Sequence, residues 1–179
     1  MPVIPVIHHG TVKPDWVDYN GHMGDFAYTI VFSEALVAFM EAIGLDAARW
    51  RDTGCTLRVS ELRIAFLREF HEGDAYEVRL RILDRQPQSL RLFGQMIDAE
   101  SGLDAALADQ LLIYVNDEGP GLGKACAIPE AIGLRIDQLH DKDAGAPLAP
   151  WPASPIGIRR KRQLSREAAQ GLQIGRTAA

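Results

Sequence analysis

Cysteine is scarce in this chain, with only Cys55 and Cys126 among 179 residues. They lie far apart and outside any CxxC spacing, which argues against a disulfide framework and against a cysteine zinc site. Two free thiols in a reducing compartment are expected. Long apolar runs are missing as well, so no segment has the length to span a bilayer. The N-terminal stretch "MPVIPVIHHGTVKP" lacks the basic region and apolar core of a signal peptide. The expected location is the cytoplasm, with no membrane partner. Charge of one sign is not in large excess. The formal net charge of −5 gives no field that would attract nucleic acid. No GxGxxG and no P-loop is present, and Ser33 stands outside a GxSxG elbow, so dinucleotide, P-loop and serine-hydrolase chemistry lack support.

What is there fits a globular domain: 47% hydrophobic and 24% charged residues, enough to bury a sizeable core. The reading places one domain over residues 1–140 and an extension over 141–179. That extension is first Pro-rich ("AGAPLAPWPASPIG") and then basic, with Arg159, Arg160, Lys161, Arg162, Arg166 and Arg176 against Glu167 alone. Residues 3–12 read as an edge strand containing Pro5, and 13–24 as loop. From Asp25 to Ile43 the spacing is helical, with Asp25 placed to cap the start and Gly44 to follow the end. Only a few polar groups interrupt this helix, so it is expected to be buried within protein.

Strand-like segments follow at 56–69, 75–86, 89–100 and 105–116. In the second, Tyr76, Val78, Leu80 and Ile82 alternate with Glu77, Arg79 and Arg81, the period-2 pattern of a sheet with one wet face. The segment "AALADQLLI" within 105–116 is also compatible with a helix. Short turn-rich connectors imply antiparallel pairing, and Pro129 to His140 reads as a short helix. A long apolar helix followed by antiparallel strands requires a sheet that curls around the helix. The expected class is α+β with the hotdog architecture.

The stretch "DWVDYNGHMGDFAYTIVFSEA" sets polar chemistry directly before that helix. Asp18 could be a turn or cap residue. It could instead be a carboxylate held beside first-turn N–H groups that have no intrahelical partner. Such N–H groups and the helix dipole stabilise a developing oxyanion, and a nearby carboxylate can activate water or attack a carbonyl. That is the minimum equipment for hydrolysing an activated acyl compound such as a thioester. His22 could position substrate, act as a base, or hydrogen-bond the loop. A metal site from His8, His9, His22 and Asp18 has no recognised ligand spacing, so no metal is expected.

Those residues resemble the signature of hotdog acyl-CoA thioesterases of the 4-hydroxybenzoyl-CoA thioesterase type: Asp18, Asn20, Gly21, His22 and Met23, then a helix with an early aromatic, Tyr28. The strand–turn–strand with Gly73-Asp74 also looks like the family's second conserved region. "WVDYNGHM", "FSEA" and "IGLDAA" are most similar to the betainyl-CoA thioesterase branch. The resemblance implies Asp18 as base or nucleophile, Gly24 and Asp25 as backbone donors to the thioester oxygen, and Asn20 and His22 shaping the loop. It departs at Gly24, where the family commonly has Asn. A second subclass uses a Glu on the helix, for which Glu34 is the candidate; Glu61 is a further possible pocket carboxylate. A betainyl group favours aromatic faces and carboxylates, which Trp16, Tyr19, Phe26, Tyr28 or Trp50, and Asp25 or Glu61, could supply. Arg63, Arg68 or the 159–162 cluster could meet the phosphates of coenzyme A. Coenzyme A enters only as part of the substrate, and no separate cofactor is expected. The family also implies a homodimer or homotetramer with the pocket between chains. Two rivals remain: a hotdog hydratase or dehydratase, whose Asp-x-Asn-Pro-x-His is a near miss for "DYNGH", and a non-catalytic acyl-thioester-binding hotdog.

Overall fold

The computed structural model describes residues 5–117 and 123–143. Of the extension expected over 141–179, residues 144–179 lie outside them. The chain starts with β1 (Val6–Thr11), passes a 3-10 turn (Pro14–Trp16) and enters α1 (Asp25–Ala42). A short α2 (Ala47–Thr53) leads into β2 (Cys55–Phe66), β3 (Ala75–Arg85), β4 (Ser89–Asp98) and β5 (Asp104–Asn116). A two-residue β6 (Lys124–Ala125) and α3 (Glu130–Asp143) complete the described elements. The sheet order is β1-β3-β4-β5-β2, with β6 paired to β5 and every pairing antiparallel. This is the α+β hotdog arrangement.

Alternation decides which face meets the helix. Tyr76, Val78, Leu80 and Ile82 of β3, Leu90, Leu92 and Met96 of β4, and Ala106, Ala108, Leu112 and Tyr114 of β5 join one core with Ala27, Val31, Phe32, Ala35, Leu36 and Phe39 of α1. The alanine-rich stretch of β5 is strand, not helix. It is paired on both sides, by β4 and β2, and its small side chains occupy fully buried positions under the helix. Gly94 serves the same end. A Cβ there would lie 2.9 Å from the Phe32 ring, so the missing side chain lets helix and sheet approach.

Two expectations about α1 need correction. The N-cap is Gly24, with extended backbone, and Asp25 is the first helical residue; its Oδ1 accepts the N–H of Phe26 at 2.8 Å. The helix is also not buried all round. Phe26, Ile30 and Val37 are 51%, 37% and 49% exposed and line up along one side, because the single curled sheet wraps only the opposite side.

At its C-terminal end α1 is closed. Gly44 takes φ +85°, a conformation that costs glycine little. Arg135 of α3 donates to the carbonyl of Ile43 at 3.2 Å, matching a cation to the negative end of the helix dipole. Ile132 and Ile136 of α3 bury themselves with Ile43 in the same core, and Arg85 holds Asp137 in a two-pronged pair at 2.7 Å for each contact.

Candidate active site

The loop before α1 is a small pinned hairpin. Buried Trp16 and Met23 anchor its two sides, and Val17 bridges Met23. Between them Asp18 N–H donates to His22 O at 2.9 Å and Gly21 N–H donates to Asp18 O at 3.0 Å. Gly21 turns at φ +82°. Met23 N–H donates to Phe70 O at 2.8 Å, tying the loop to the β2–β3 connector. The apolar flanks thus fold inward, and the polar tip from Asp18 to His22 is thrust outward.

Asp18 is fully exposed, yet its carboxylate is engaged. Oδ1 accepts the backbone N–H of Asn20 at 2.8 Å and Oδ2 accepts Asn20 Nδ2 at 3.3 Å. The Asn20 backbone bond, aided by the Asn20 amide and by His22, holds the carboxyl below its ordinary pKa of 3.8. Asn20 is thereby a holder of the carboxylate as well as a loop residue.

The two expected backbone donors part company. Gly24 N–H already donates to Trp16 O at 2.8 Å, so it has no proton to offer a substrate. Asp25 N–H has no protein acceptor among the described residues, and it stands at the positive end of an eighteen-residue helix. Of the two, only the Asp25 N–H is left without an acceptor among the described residues. A side chain at position 24 would meet the Phe26 ring at 2.7 Å. With Phe26 so placed, glycine fits where the family commonly carries Asn.

Asp18, Asn20, His22, Asp25 and Tyr28 line one open cleft of about 860 Å³, together with Phe66, Arg68, Glu69, His71 and Asp98. Tyr28 is buried and donates its hydroxyl to Arg68 O at 3.2 Å. Burial pushes its phenol above the ordinary value, so it stays protonated. Phe66 meets the Tyr28 ring edge-on at 5.1 Å. Asp98 accepts the Ser101 hydroxyl at 2.6 Å and the Glu100 N–H at 2.9 Å. These bonds, led by Ser101, hold it below 3.8. Among the described residues the cleft thus sets four carboxylates, Asp18, Asp25, Glu69 and Asp98, against one guanidinium, that of Arg68.

Two of the expected carboxylates lie elsewhere. Glu34, midway along α1, pairs with His8 Nε2 of β1 at 3.2 Å, outside the cleft. Glu61 follows a bulge in β2 between Val59 and Glu61, which places it opposite Leu111. Leu112 faces the core, so Leu111 and Glu61 face the convex side. Arg63, opposite Asp109, shares that side. Trp16 is core, and Trp50 stands on α2 outside the cleft. Tyr19, at the hairpin tip, is 97% exposed. Among the described residues no group of three His, Cys, Asp or Glu could hold a metal.

Sequence reading did not pick out Glu69 and His71, because "EFHEGD" looked like turn chemistry. His22 Nε2 lies 3.4 Å from Glu69 Oε2, and the His22 ring meets His71 edge-on at 5.1 Å. A cluster of titratable residues in a connector was the signal available. An ionised carboxylate, an imidazole and an open helix N–H around one cleft suit acyl transfer.

The family model of the thioesterase-like superfamily matches residues 12–136. The chain belongs to this superfamily. It is a thioester hydrolase. It is 33% identical over 147 residues to the betainyl-CoA thioesterase of Pseudomonas aeruginosa, covering 82% of this chain and 91% of that protein. A bifunctional L-carnitine dehydrogenase/betainyl-CoA thioesterase of Agrobacterium fabrum is 31% identical over 159 residues. There the match covers 89% of this chain and only 32% of the longer protein. Among solved structures, a Staphylococcus aureus protein in complex with CoA superposes with TM-score 0.76 at 25% identity, covering 88% of this chain and 98% of that one. A thioesterase-like protein of Pseudomonas putida gives the same TM-score and identity, covering 88% and 99%.

Proposed function

We propose that this thioesterase hydrolyses a small acyl-CoA whose acyl group carries a positive charge, betainyl-CoA being the leading candidate. The observation that carries this is the charge of the cleft's described lining: four carboxylates and one arginine, beside Tyr28 and Phe66. A quaternary ammonium is drawn to both kinds of group. The names of the relatives point to the same substrate.

In this reading the thioester carbonyl oxygen sits against Asp25 N–H and the Asp18 carboxylate faces the carbonyl carbon, as nucleophile or as base for water. Asn20 fixes the carboxylate, Arg68 is available to coenzyme A phosphate, and Tyr28 with Phe66 walls the acyl group.

The working form is at least a homodimer. Strand β2 is a sheet edge with Val59, Leu62 and Phe66 exposed at 37%, 39% and 53%. An edge this long and apolar invites pairing. Phe66 of this edge also lines the open cleft, which a second copy would cover.

The test is a free-thiol assay with betainyl-, short aliphatic and aromatic acyl-CoAs. Preferred release from betainyl-CoA, lost in Asp18→Asn, supports the reading. Preference for an uncharged or anionic acyl group would overturn the cationic assignment.

A further inference from the structure

Asp18 is a poor proton acceptor. Both its oxygens hold Asn20, and its carboxyl lies below the ordinary range. Thioester hydrolysis still needs a group that gives a proton to sulfur and takes one from water. His22 lines the same cleft, and its Nε2 faces Glu69. A carboxylate at one ring nitrogen fixes the imidazole's orientation and leaves the other nitrogen for the reaction. The connector that carries Glu69 is held in place. Phe70, the next residue, is buried and accepts the N–H of Met23. Asp74 Oδ2 accepts the N–H of His71 at 2.7 Å. The His71 ring then packs edge-on against His22.

We propose that His22 is the proton carrier of the site and that Glu69 is its positioning residue. This rests on the thioesterase reading above. An Asp18 oxygen bonds the carbonyl carbon, the C–S bond breaks, and the departing sulfur takes a proton from the His22 ring. The ring then takes a proton from water as that water's oxygen bonds the acyl carbon. The anhydride C–O bond breaks, restoring the Asp18 carboxylate, and the acid product leaves. The proton given to sulfur is thereby returned to His22. The charged and titratable groups facing the same cleft are, among the described residues, Asp18 on the hairpin, Asp25 at the start of α1, Tyr28 on α1, Arg68, Glu69 and His71 from the β2–β3 connector, and Asp98 at the end of β4.

Glu69 and His22 are 69% and 37% exposed, so their replacement leaves the core intact. The test compares His22→Asn, Glu69→Gln and Glu69→Asp with the unsubstituted protein, by thiol release resolved into kcat and KM. His22→Asn should lower kcat by about 10²-fold or more with KM nearly constant. Glu69→Gln should lower kcat by about 10-fold with KM nearly constant, because it removes the carboxylate that orients the ring. Glu69→Asp, which keeps a carboxylate, should restore part of that loss. A wild-type kcat in Glu69→Gln, an effect of Glu69 on KM alone, or no rescue by Glu69→Asp would overturn the inference. If Asp18→Asn is inactive while His22→Asn keeps its kcat, the proton carrier is wrong and the thioesterase reading stands. Absence of thiol release by wild type would instead strike the reading itself.

Discussion

The two ends of α1 face the same physical problem and resolve it oppositely. Any helix leaves unpaired N–H groups at its start and unpaired carbonyls at its finish. At the finish this protein supplies its own partners: Arg135 donates to Ile43, Gly44 turns the chain, and Ile132 and Ile136 exclude water. At the start it supplies them only in part. Gly24 N–H is satisfied by Trp16 O, whereas Asp25 N–H opens on a cleft lined by carboxylates. One end is sealed by the protein's own groups, and the other keeps an N–H that the proposed reaction would use. The open end can be kept ordered because its neighbours, Trp16 and Met23, are buried.

The comparison can be broken at either end. The largest effect is expected from Asp25→Pro. Proline is well tolerated at the first helical position, and the extended backbone of Gly24 suits a residue preceding proline. The substitution therefore deletes the open N–H and keeps the helix. Thiol release should fall by roughly 10²- to 10³-fold with a nearly unchanged Tm, while Asp25→Ala, which retains the N–H, should keep most of the activity. Next comes Ile136→Ala at the sealed end. It should cost about 3 kcal/mol in denaturant unfolding and leave kcat per folded enzyme almost intact. Arg135→Met keeps much of the aliphatic packing and removes the bond to Ile43. A loss of about 1 kcal/mol is expected by the same measurement.

The smallest effect concerns pH. The Asp18 carboxyl lies below 3.8 in the folded state, first because of the Asn20 N–H. The stability its ionised form contributes is therefore present above the unfolded value and is lost as pH falls through the folded one. Asp18 is fully exposed, so the effect is slight. Tm of wild type and Asp18→Asn should converge as pH drops below about 4, and curves that stay parallel there would remove Asn20's assigned hold on the carboxylate.

Most of the fold was legible because two periodicities are clean: the alternation in Tyr76–Ile82 and the apolar helix bounded by Gly44. The loop motif also names residues that the fold brings together, since Asp18, Asn20, His22, Asp25 and Tyr28 share one cleft. What could not be read depended on geometry that no local pattern records. The Gly24 N–H is taken by a carbonyl of the returning chain. The bulge before Glu61 reverses that side chain's face. The alanines of β5 favour a helix in isolation, and tertiary pairing overrides them. Glu69 joins His22 only through the docking of the β2–β3 connector on the hairpin.

The strand order also dictates a timetable. Strands β3, β4 and β5 are consecutive and pair with near neighbours, while β1 and β2 occupy the outer positions and precede them in the chain. Cys55 of β2 awaits Asn116, and His8 of β1 awaits Val78. During synthesis α1 therefore leaves the ribosome before the sheet that covers it exists. At ordinary elongation rates, about 5–20 residues per second, the apolar helix goes without its cover for several seconds. The helix whose start opens on the cleft is then an apolar stretch that the nascent chain must hold in water until the sheet closes over it.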